Sequence, residues 1–174
     1  MTEDTNMKRN LILIGLPTAG KSTLGVVLAK MLGYDYIDTD LLIQKHEGCR
    51  LEETIRHIGD EAFLDLEGEV CASLQTDHTV IATGGSVIYR AHAMEHLKEL
   101  GTVVYLKISL DTLLERMHDA QSRGVVIKEG QTIEGLYDER VRLYEQYAEL
   151  TVDEGSMQFD DVLCAVLAIV KSGM

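Results

Sequence analysis

The most constraining feature of the sequence is a glycine-rich segment, Gly15-Leu-Pro-Thr-Ala-Gly20-Lys21-Ser22-Thr23, that directly follows an apolar run. The run, Leu11–Ile14, has the continuous apolar character of a strand that is buried on both faces. The segment fits the pattern G-x-x-x-x-G-K-[ST], in which glycines let a loop curl around phosphate oxygens. The following helix directs the positive end of its dipole at the same anion. The sequence therefore predicts a purine-nucleotide phosphate site.

The residue types within this segment suggest separate roles. Lys21 would reach the β- and γ-phosphates of a nucleotide, and the Ser22 hydroxyl would hold Mg²⁺. The remaining positions would contribute backbone and side-chain groups to the phosphates of ATP. The expected ATP-binding residues of the loop are Gly15, Thr18, Ala19, Gly20, Lys21, Ser22 and Thr23.

Further apolar runs alternate with longer stretches that have helical spacing. The runs lie at Tyr34–Asp38, Thr79–Ala82, Val103–Ile108 and, more weakly, Leu150–Val152. Strands that alternate with helices predict right-handed crossovers and a mostly parallel sheet with helices on both faces. We therefore expect a three-layer α/β/α domain of the P-loop NTPase class, with about five parallel strands, spanning residues 1–174 as a single domain.

Two segments are expected to lie outside this packed core. The stretch from His118 to Thr132 is polar and contains Gly124 and Gly130, and a connection of that length in a compact domain is usually functional. A lid over the nucleotide is the predicted role, with a mobile surface loop as the alternative. The first eight residues are acidic and polar and are expected to be flexible.

Composition excludes several classes of protein. The chain is 45% hydrophobic and 26% charged, as in ordinary globular domains, and its formal net charge of -13 would repel nucleic acid and anionic membranes. The longest apolar run, Val162 to Val170, is too short to span a bilayer. The cysteines, Cys49, Cys71 and Cys164, are odd in number and widely spaced, which is untypical of a disulfide framework. A cytoplasmic monomer without nucleic-acid or membrane partners is expected.

Two carboxylates follow the second apolar run, in Ile37-Asp38-Thr39-Asp40. At the carboxyl end of a parallel strand they would face the ligand crevice. One could complete the magnesium shell, for which we assign Asp38, and the other could bind a substrate hydroxyl. The alternative is that Asp38 or Asp40 caps the helix that follows.

Paired glycines follow the third apolar run, in Thr83-Gly84-Gly85-Ser86. They would let the backbone approach a ligand at the same edge of the sheet, although a lone glycine pair is also typical of a turn. A guanine-reading N-K-x-D motif does not occur in the sequence, which argues against a GTPase.

Taken in order, these motifs resemble the shikimate kinase family from about Leu11 to Val152. The resemblance implies that Asp40 binds substrate hydroxyls and acts in catalysis with Lys21, and that the backbone at Gly84 and Gly85 contacts the substrate. Leu114-Glu-Arg116 resembles the segment whose arginine lies against adenine, and Arg123 matches the lid arginine that reaches the transferring phosphates. Glu139-Arg140-Val-Arg142-Leu143-Tyr144 is similar to the family's R-x-P-L-Y helix, which implies that Arg140 binds a substrate carboxylate.

The sequence departs from the family pattern at several positions. The family's F-R-x-x-E is Phe63-Leu64-Asp65-Leu66-Glu67, so that Leu64 stands where the family has an arginine for the substrate carboxylate. Ser86 replaces the third glycine, the lid reads Arg123-Gly-Val-Val126, and Arg142 replaces a proline. Loss of one partner of a buried ion pair typically costs about 2–5 kcal/mol. Either Arg56 or Arg142 compensates for Leu64, or the pocket takes another substrate.

The predicted function is ATP-dependent phosphorylation of a hydroxyl on a small, anionic metabolite, with Mg²⁺ as cofactor. Shikimate, converted into 3-phosphoshikimate for aromatic amino acid biosynthesis, is the leading substrate by resemblance. A related kinase for another hydroxylated acid, such as a homoserine-type amino acid, is the alternative. A nucleotide-binding regulator without transfer activity is an alternative of another class.

Overall fold

The structure, a computed structural model, describes residues 10–118, 130–155 and 157–173. Within these ranges, five strands and eight α-helices follow one another along the chain. In order they are β1 (Asn10–Ile14), α1 (Lys21–Leu32), β2 (Asp35–Asp38), α2 (Thr39–Glu47), α3 (Leu51–Ile58), α4 (Asp60–Ala72), β3 (Thr79–Ala82), α5 (Ala91–Leu100), β4 (Gly101–Lys107), α6 (Leu110–His118), α7 (Ile133–Tyr147), β5 (Leu150–Asp153) and α8 (Phe159–Gly173), with a short 3₁₀ helix at Val87–Tyr89 between β3 and α5.

All five strands are parallel and lie in the order β2-β3-β1-β4-β5. The central strand β1 pairs on one side with β3, with Leu11 opposite Val80, and on the other with β4, with Leu11 opposite Thr102. Every residue of β1 is buried, as the apolar run Leu11–Ile14 predicts for a strand covered by helices on both faces. The predicted parallel α/β fold is confirmed.

The order of the strands brings three loops together at one edge of the sheet. The carboxyl ends of β1, β2 and β3 lead into the glycine-rich loop, the Asp38–Asp40 segment and the Thr83–Ser86 segment. In an open parallel sheet, ligands bind outside the carboxyl ends of the strands, at the point where the strand order reverses. The fold therefore places the three sequence motifs around one crevice.

Other parts of the chain fall partly or wholly outside the described residues. The flexible segment predicted at residues 1–8 and most of the predicted lid, residues 119–129 with Arg123, belong to these parts. Within the described ranges, none of the helices has the length and apolar character required to cross a membrane.

Candidate active site

Lys21 begins α1 and turns back over the loop that precedes it. Its Nζ donates hydrogen bonds to the carbonyl oxygens of Gly15, at 2.7 Å, and Leu16, at 2.9 Å. The turn requires left-handed backbone at Thr18 (φ 69°) and Gly20 (φ 77°). Burial lowers the pKa of the Lys21 ammonium to about 8, and the nearby Asp40 carboxylate opposes this shift. The loop thus holds a cation at the helix N-terminus.

A cavity beside this loop brings together residues from all three sequence motifs. Its walls come from the glycine-rich loop and from the segments that follow β2 and β3, with α3 and α4 completing them. The lining residues are Pro17, Thr18, Gly20, Lys21, Ser22, Thr23, Asp40, Leu51, Phe63, Glu67, Thr83, Gly85 and Ser86.

Asp38 and Asp40 have different environments. Asp38 Oδ1 accepts hydrogen bonds from the backbone N–H groups of Asp40, at 3.0 Å, and Leu41, at 3.4 Å. Asp38 therefore caps α2, which is the alternative that the sequence analysis gave for this pair. Asp40 extends into the cavity, where burial and the neighbouring Asp38 raise the pKa of its carboxyl to about 6, against the effect of Lys21. Asp40 is therefore the carboxylate of the pair that faces the cavity.

Asp38 lies near Ser22, the other residue predicted to hold magnesium. The Tyr36 hydroxyl donates to Asp38 Oδ2 at 3.1 Å and is 3.2 Å from the carbonyl oxygen of Ser22. Among the described residues, no cluster of three His, Cys, Asp or Glu side chains could bind a metal. Mg²⁺ commonly takes one or two protein oxygens and completes its shell with phosphate oxygens and water. A serine hydroxyl and a carboxylate fit that requirement.

Gly84 lies against two carboxyl groups. A Cβ atom at this position would overlap Glu67 Oε1 and would come within 2.8 Å of Asp40 Oδ1. The Gly84 N–H donates to the Thr39 hydroxyl at 3.0 Å, which fixes the segment above α2. Only glycine allows this close approach, and both carboxyl groups consequently lie next to Gly84.

Sequence reasoning assigned no role to Glu67 beyond its place in a motif. This side chain is 1% exposed in α4, accepts a hydrogen bond from Ser86 Oγ at 2.7 Å, and lines the cavity. Burial raises the pKa of its carboxyl to about 7. Glu67 lies four residues after Phe63, which puts a carboxylate on the buried face of a helix. That position is a signal the sequence contained.

Arg140 approaches the glycine segment from α7. The side chain is 1% exposed, its Nε donates to the Tyr89 hydroxyl at 3.4 Å, and its guanidinium lies 5.5 Å from the centre of the Tyr89 ring. A Cβ atom on Gly85 would be 3.2 Å from one terminal nitrogen of Arg140. The predicted carboxylate ligand therefore lies next to the cavity wall.

Tyr144 also anchors this wall. Its ring stacks on Tyr105 with centroids 5.0 Å apart, and its hydroxyl donates to the Gly85 carbonyl oxygen at 2.6 Å. The hydrogen bond adds a tether between α7 and the glycine segment that helical spacing alone could not predict.

The two arginines considered as replacements for an arginine at position 64 lie away from the cavity. Leu64 is buried in α4, as expected of a core residue. Arg56 is exposed on α3, and the likewise exposed Arg142 lines a separate groove with Tyr89 and Gly135. Neither arginine is among the described residues that line the cavity.

A second pocket adjoins the other side of the glycine-rich loop. Arg116 donates to the Thr18 carbonyl oxygen and to Glu154 Oε2, both at 3.0 Å. The pocket is lined by Ala19, Gly20, Thr23, Leu24, Arg116, Glu154, Met157, Phe159 and Val162. Arg116, predicted to lie against adenine, thus contacts the phosphate loop directly, and Glu154 is a partner that sequence reasoning did not find.

Comparison with known proteins identifies the family. The family model for shikimate kinase matches residues 17–171. The shikimate kinase of Clostridium botulinum strain 657 is 39% identical over 142 residues, which cover 79% of this chain and 83% of the relative. That of Bacillus cytotoxicus is 32% identical over 165 residues, 94% of this chain and 99% of the relative.

A solved structure gives the same result for the fold. Shikimate kinase from Acinetobacter baumannii, determined in complex with shikimate, superimposes with a TM-score of 0.84 at 30% identity. The match covers 94% of this chain and 93% of that protein. Sequence and fold agree over nearly the whole chain, and the chain belongs to the shikimate kinase family.

Proposed function

We propose that this protein transfers the γ-phosphoryl group of ATP to a hydroxyl of shikimate, giving 3-phosphoshikimate. The observation that carries the proposal is the cavity lined by both the phosphate-loop cation Lys21 and the half-buried carboxylate of Asp40. Relatives at 32–39% identity that are shikimate kinases support the choice of acceptor. The alternative acceptor is another hydroxylated acid, such as a homoserine-type amino acid.

On the nucleotide side, the phosphates would lie along the glycine-rich loop. Lys21 would bind the β- and γ-phosphates, and Ser22 with Asp38 would hold Mg²⁺, which neutralises charge on the transferring group. Adenine would lie in the second pocket against Arg116. Arg123, which is outside the described residues, would bring further positive charge to the γ-phosphate when the lid closes and excludes water.

On the acceptor side, Asp40 would orient the attacking hydroxyl. Its carboxyl has a pKa raised to about 6, so that it is mostly ionised at neutral pH and can accept the hydroxyl proton. The loose transition state of phosphoryl transfer requires little assistance from a base, so orientation is its main contribution. The backbone at Gly84 and Gly85 would contact the acceptor, and Arg140 would bind its carboxylate.

The direct test is an ADP-release assay with purified protein, ATP, Mg²⁺ and shikimate, run beside a control without acceptor. We expect shikimate-dependent turnover of about 1–100 per second, and a phosphomonoester product visible by ³¹P NMR. Turnover of a homoserine-type acceptor but not of shikimate would establish the alternative substrate. ATP binding without product from a panel of hydroxylated acids would instead indicate a regulator without transfer activity.

Leu64→Arg is expected to improve binding of shikimate. Positions 64 and 67 are neighbours on one face of α4, so an arginine there could pair with Glu67 and place a second guanidinium near the cavity. We expect the KM for shikimate to fall at least about tenfold, since a desolvated charged hydrogen bond is worth 1.4 kcal/mol or more. Steady-state kinetics at fixed ATP measure the change.

Ala62→Arg is the matched control for that variant, because Ala62 is exposed on the same helix and the substitution adds the same charge. We expect its KM for shikimate to stay within about twofold of wild type. An unchanged KM in a folded, active Leu64→Arg protein would show that the cavity is not built to accept a second cation there.

We further propose that the enzyme works in the cytoplasm. The three cysteines are unpaired in the structure, with Cys71 buried, Cys49 half-buried and Cys164 exposed. Free thiols at such different depths are typical of a reducing compartment. Fractionation of the source cells with an antibody against the protein would test the assignment.

A further inference from the structure

Ser86 and Glu67 form a buried polar pair in the wall of the acceptor cavity. Ser86 Oγ donates to Glu67 Oε2 at 2.7 Å, and the two residues are 6% and 1% exposed. The second carboxyl oxygen of Glu67, Oε1, faces the Cα of Gly84, where Asp40 Oδ1 also converges. One oxygen of Glu67 is therefore bound by a hydroxyl, and the other is turned toward the carboxylate proposed to orient the acceptor.

The charge of Glu67 depends on several surrounding elements. The titratable and charged groups that act on it, or on which it acts, are Lys21 of α1, Asp40 of α2, Cys71 of α4, and Arg140 and Tyr144 of α7. Burial and Asp40 favour the neutral acid, whereas the hydrogen bond from the Ser86 hydroxyl, Arg140 and a weaker hydrogen bond from the Ser86 backbone favour the carboxylate. On balance, the pKa of the Glu67 carboxyl is raised to about 7.

On the buried face of α4, a helix that the structure describes throughout, no cation supports the Glu67 carboxylate. Leu64, one turn earlier, is apolar and buried, and Arg90, which packs on the neighbouring Gly68, is bound to Glu61 and Asp65 on the exposed side of α4. A buried carboxylate without a hydrogen-bond donor is strongly disfavoured. The Ser86 hydroxyl supplies such a donor from outside the helix.

We propose that Ser86 is a positioning residue for Glu67: the Ser86 hydroxyl fixes the Glu67 carboxyl group and allows it to ionise inside the acceptor cavity. Ser86 thereby sets the pH above which the cavity binds an anionic acceptor less well. At pH values below the midpoint of its titration, the Glu67 carboxyl is neutral. Above it a negative charge joins Asp40 beside the bound acceptor, and the KM for an anionic acceptor rises. The statement about the acceptor rests on the proposed function, whereas the statement about Glu67 does not.

The role of Ser86 toward Glu67 can be measured without any substrate. Protein labelled with ¹³C at the glutamate carboxyl carbon is titrated by NMR, and Glu67→Gln identifies the signal of Glu67. Ser86→Ala removes a donor to the charged form, so we expect the midpoint of that signal to rise by about half a pH unit or more. Ser86→Thr keeps a hydroxyl and is expected to keep the wild-type midpoint. Coinciding midpoints for wild type and Ser86→Ala would overturn the proposal.

The consequence for the acceptor is measured by the pH dependence of the KM for shikimate. In the wild type we expect KM to rise as the pH passes the Glu67 midpoint. In Ser86→Ala the rise in KM should move to higher pH by the shift found by NMR. In Glu67→Gln the rise in KM should vanish. A KM profile that ignores the NMR shift would overturn the link to the acceptor. Absence of any shikimate turnover in the wild type would reject the proposed function, while the NMR titration would still decide the role of Ser86.

Discussion

Replacement of Lys21 by methionine is expected to lower kcat by at least about a hundredfold, the usual cost of losing one preorganised group that stabilises transition-state charge. The ammonium is already fixed by the Gly15 and Leu16 carbonyl oxygens, at 2.7 and 2.9 Å, in the mouth of the cavity. Such a fixed cation costs no reorganisation when charge shifts to the β–γ bridging oxygen. The assay is ADP release with saturating ATP and shikimate.

The same substitution should leave the fold intact. Burial disfavours the Lys21 ammonium enough to lower its pKa to about 8, and a methionine fills a similar volume without that penalty. We expect its Tm to stay within about 4 °C of wild type. Lys30→Met, in the last turn of the same helix and exposed to solvent, is the matched control and should retain wild-type kcat. A folded Lys21→Met protein with more than a tenth of wild-type kcat would contradict the assigned role.

The fold could be predicted because its signals are local. The strands β1, β3 and β4 each contain a short apolar run, and the spacing of such runs by helical segments admits few topologies. The strand boundaries were less accessible. β4 begins at Gly101 rather than Val103 because Gly101 and Thr102 pair with Asn10 and Leu11, a partnership that depends on the register and not on their own hydrophobicity.

The candidate site likewise has parts with local sequence signals and parts that depend on contacts between distant segments. The glycine-rich loop and the two aspartates could be found because each lies at the end of a strand or directly after it, and the structure brings the loop and Asp40 to one cavity. The tethers between distant segments could not be found. Tyr144 to Gly85 spans 59 positions and Arg116 to Thr18 spans 98, and nothing in the local sequence announces either contact. The assigned catalytic and binding roles, including that of Arg123, remain predictions.

Asp38 caps α2 with one carboxyl oxygen and keeps the other beside the phosphate loop. Its Oδ1 accepts the N–H groups that begin α2, while Oδ2 is bound by the Tyr36 hydroxyl next to Ser22. The cap orients the carboxylate, and the tyrosine keeps it near the end of the phosphate loop. The capping of α2 by Asp38 is therefore compatible with its predicted role at Mg²⁺, although the sequence analysis gave the two as alternatives.

Arg140→Met is expected to raise the KM for shikimate by about thirtyfold to several thousandfold, which corresponds to about 2–5 kcal/mol for truncating one partner of a buried charge pair. With leucine at position 64, Arg140 is the arginine that the structure places against the glycine segment, next to Gly85. Its loss would leave the acceptor carboxylate without a guanidinium on that side. The KM for ATP should change little, because the nucleotide contacts lie across the phosphate loop.

Variants of the two other arginines make the Arg140 result specific. Arg142→Met, two residues further along α7, and Arg56→Met, on α3, each remove one positive charge without altering the cavity lining. We expect the KM for shikimate to stay within about twofold of wild type in both. Arg140→Lys keeps the charge but loses the planar fork, so its KM should fall between those of wild type and Arg140→Met. A rise for Arg142→Met or Arg56→Met as large as that for Arg140→Met would show that the acceptor carboxylate is held by a second arginine after all. Leu64 would then be a compensated substitution rather than the cause of a one-arginine pocket.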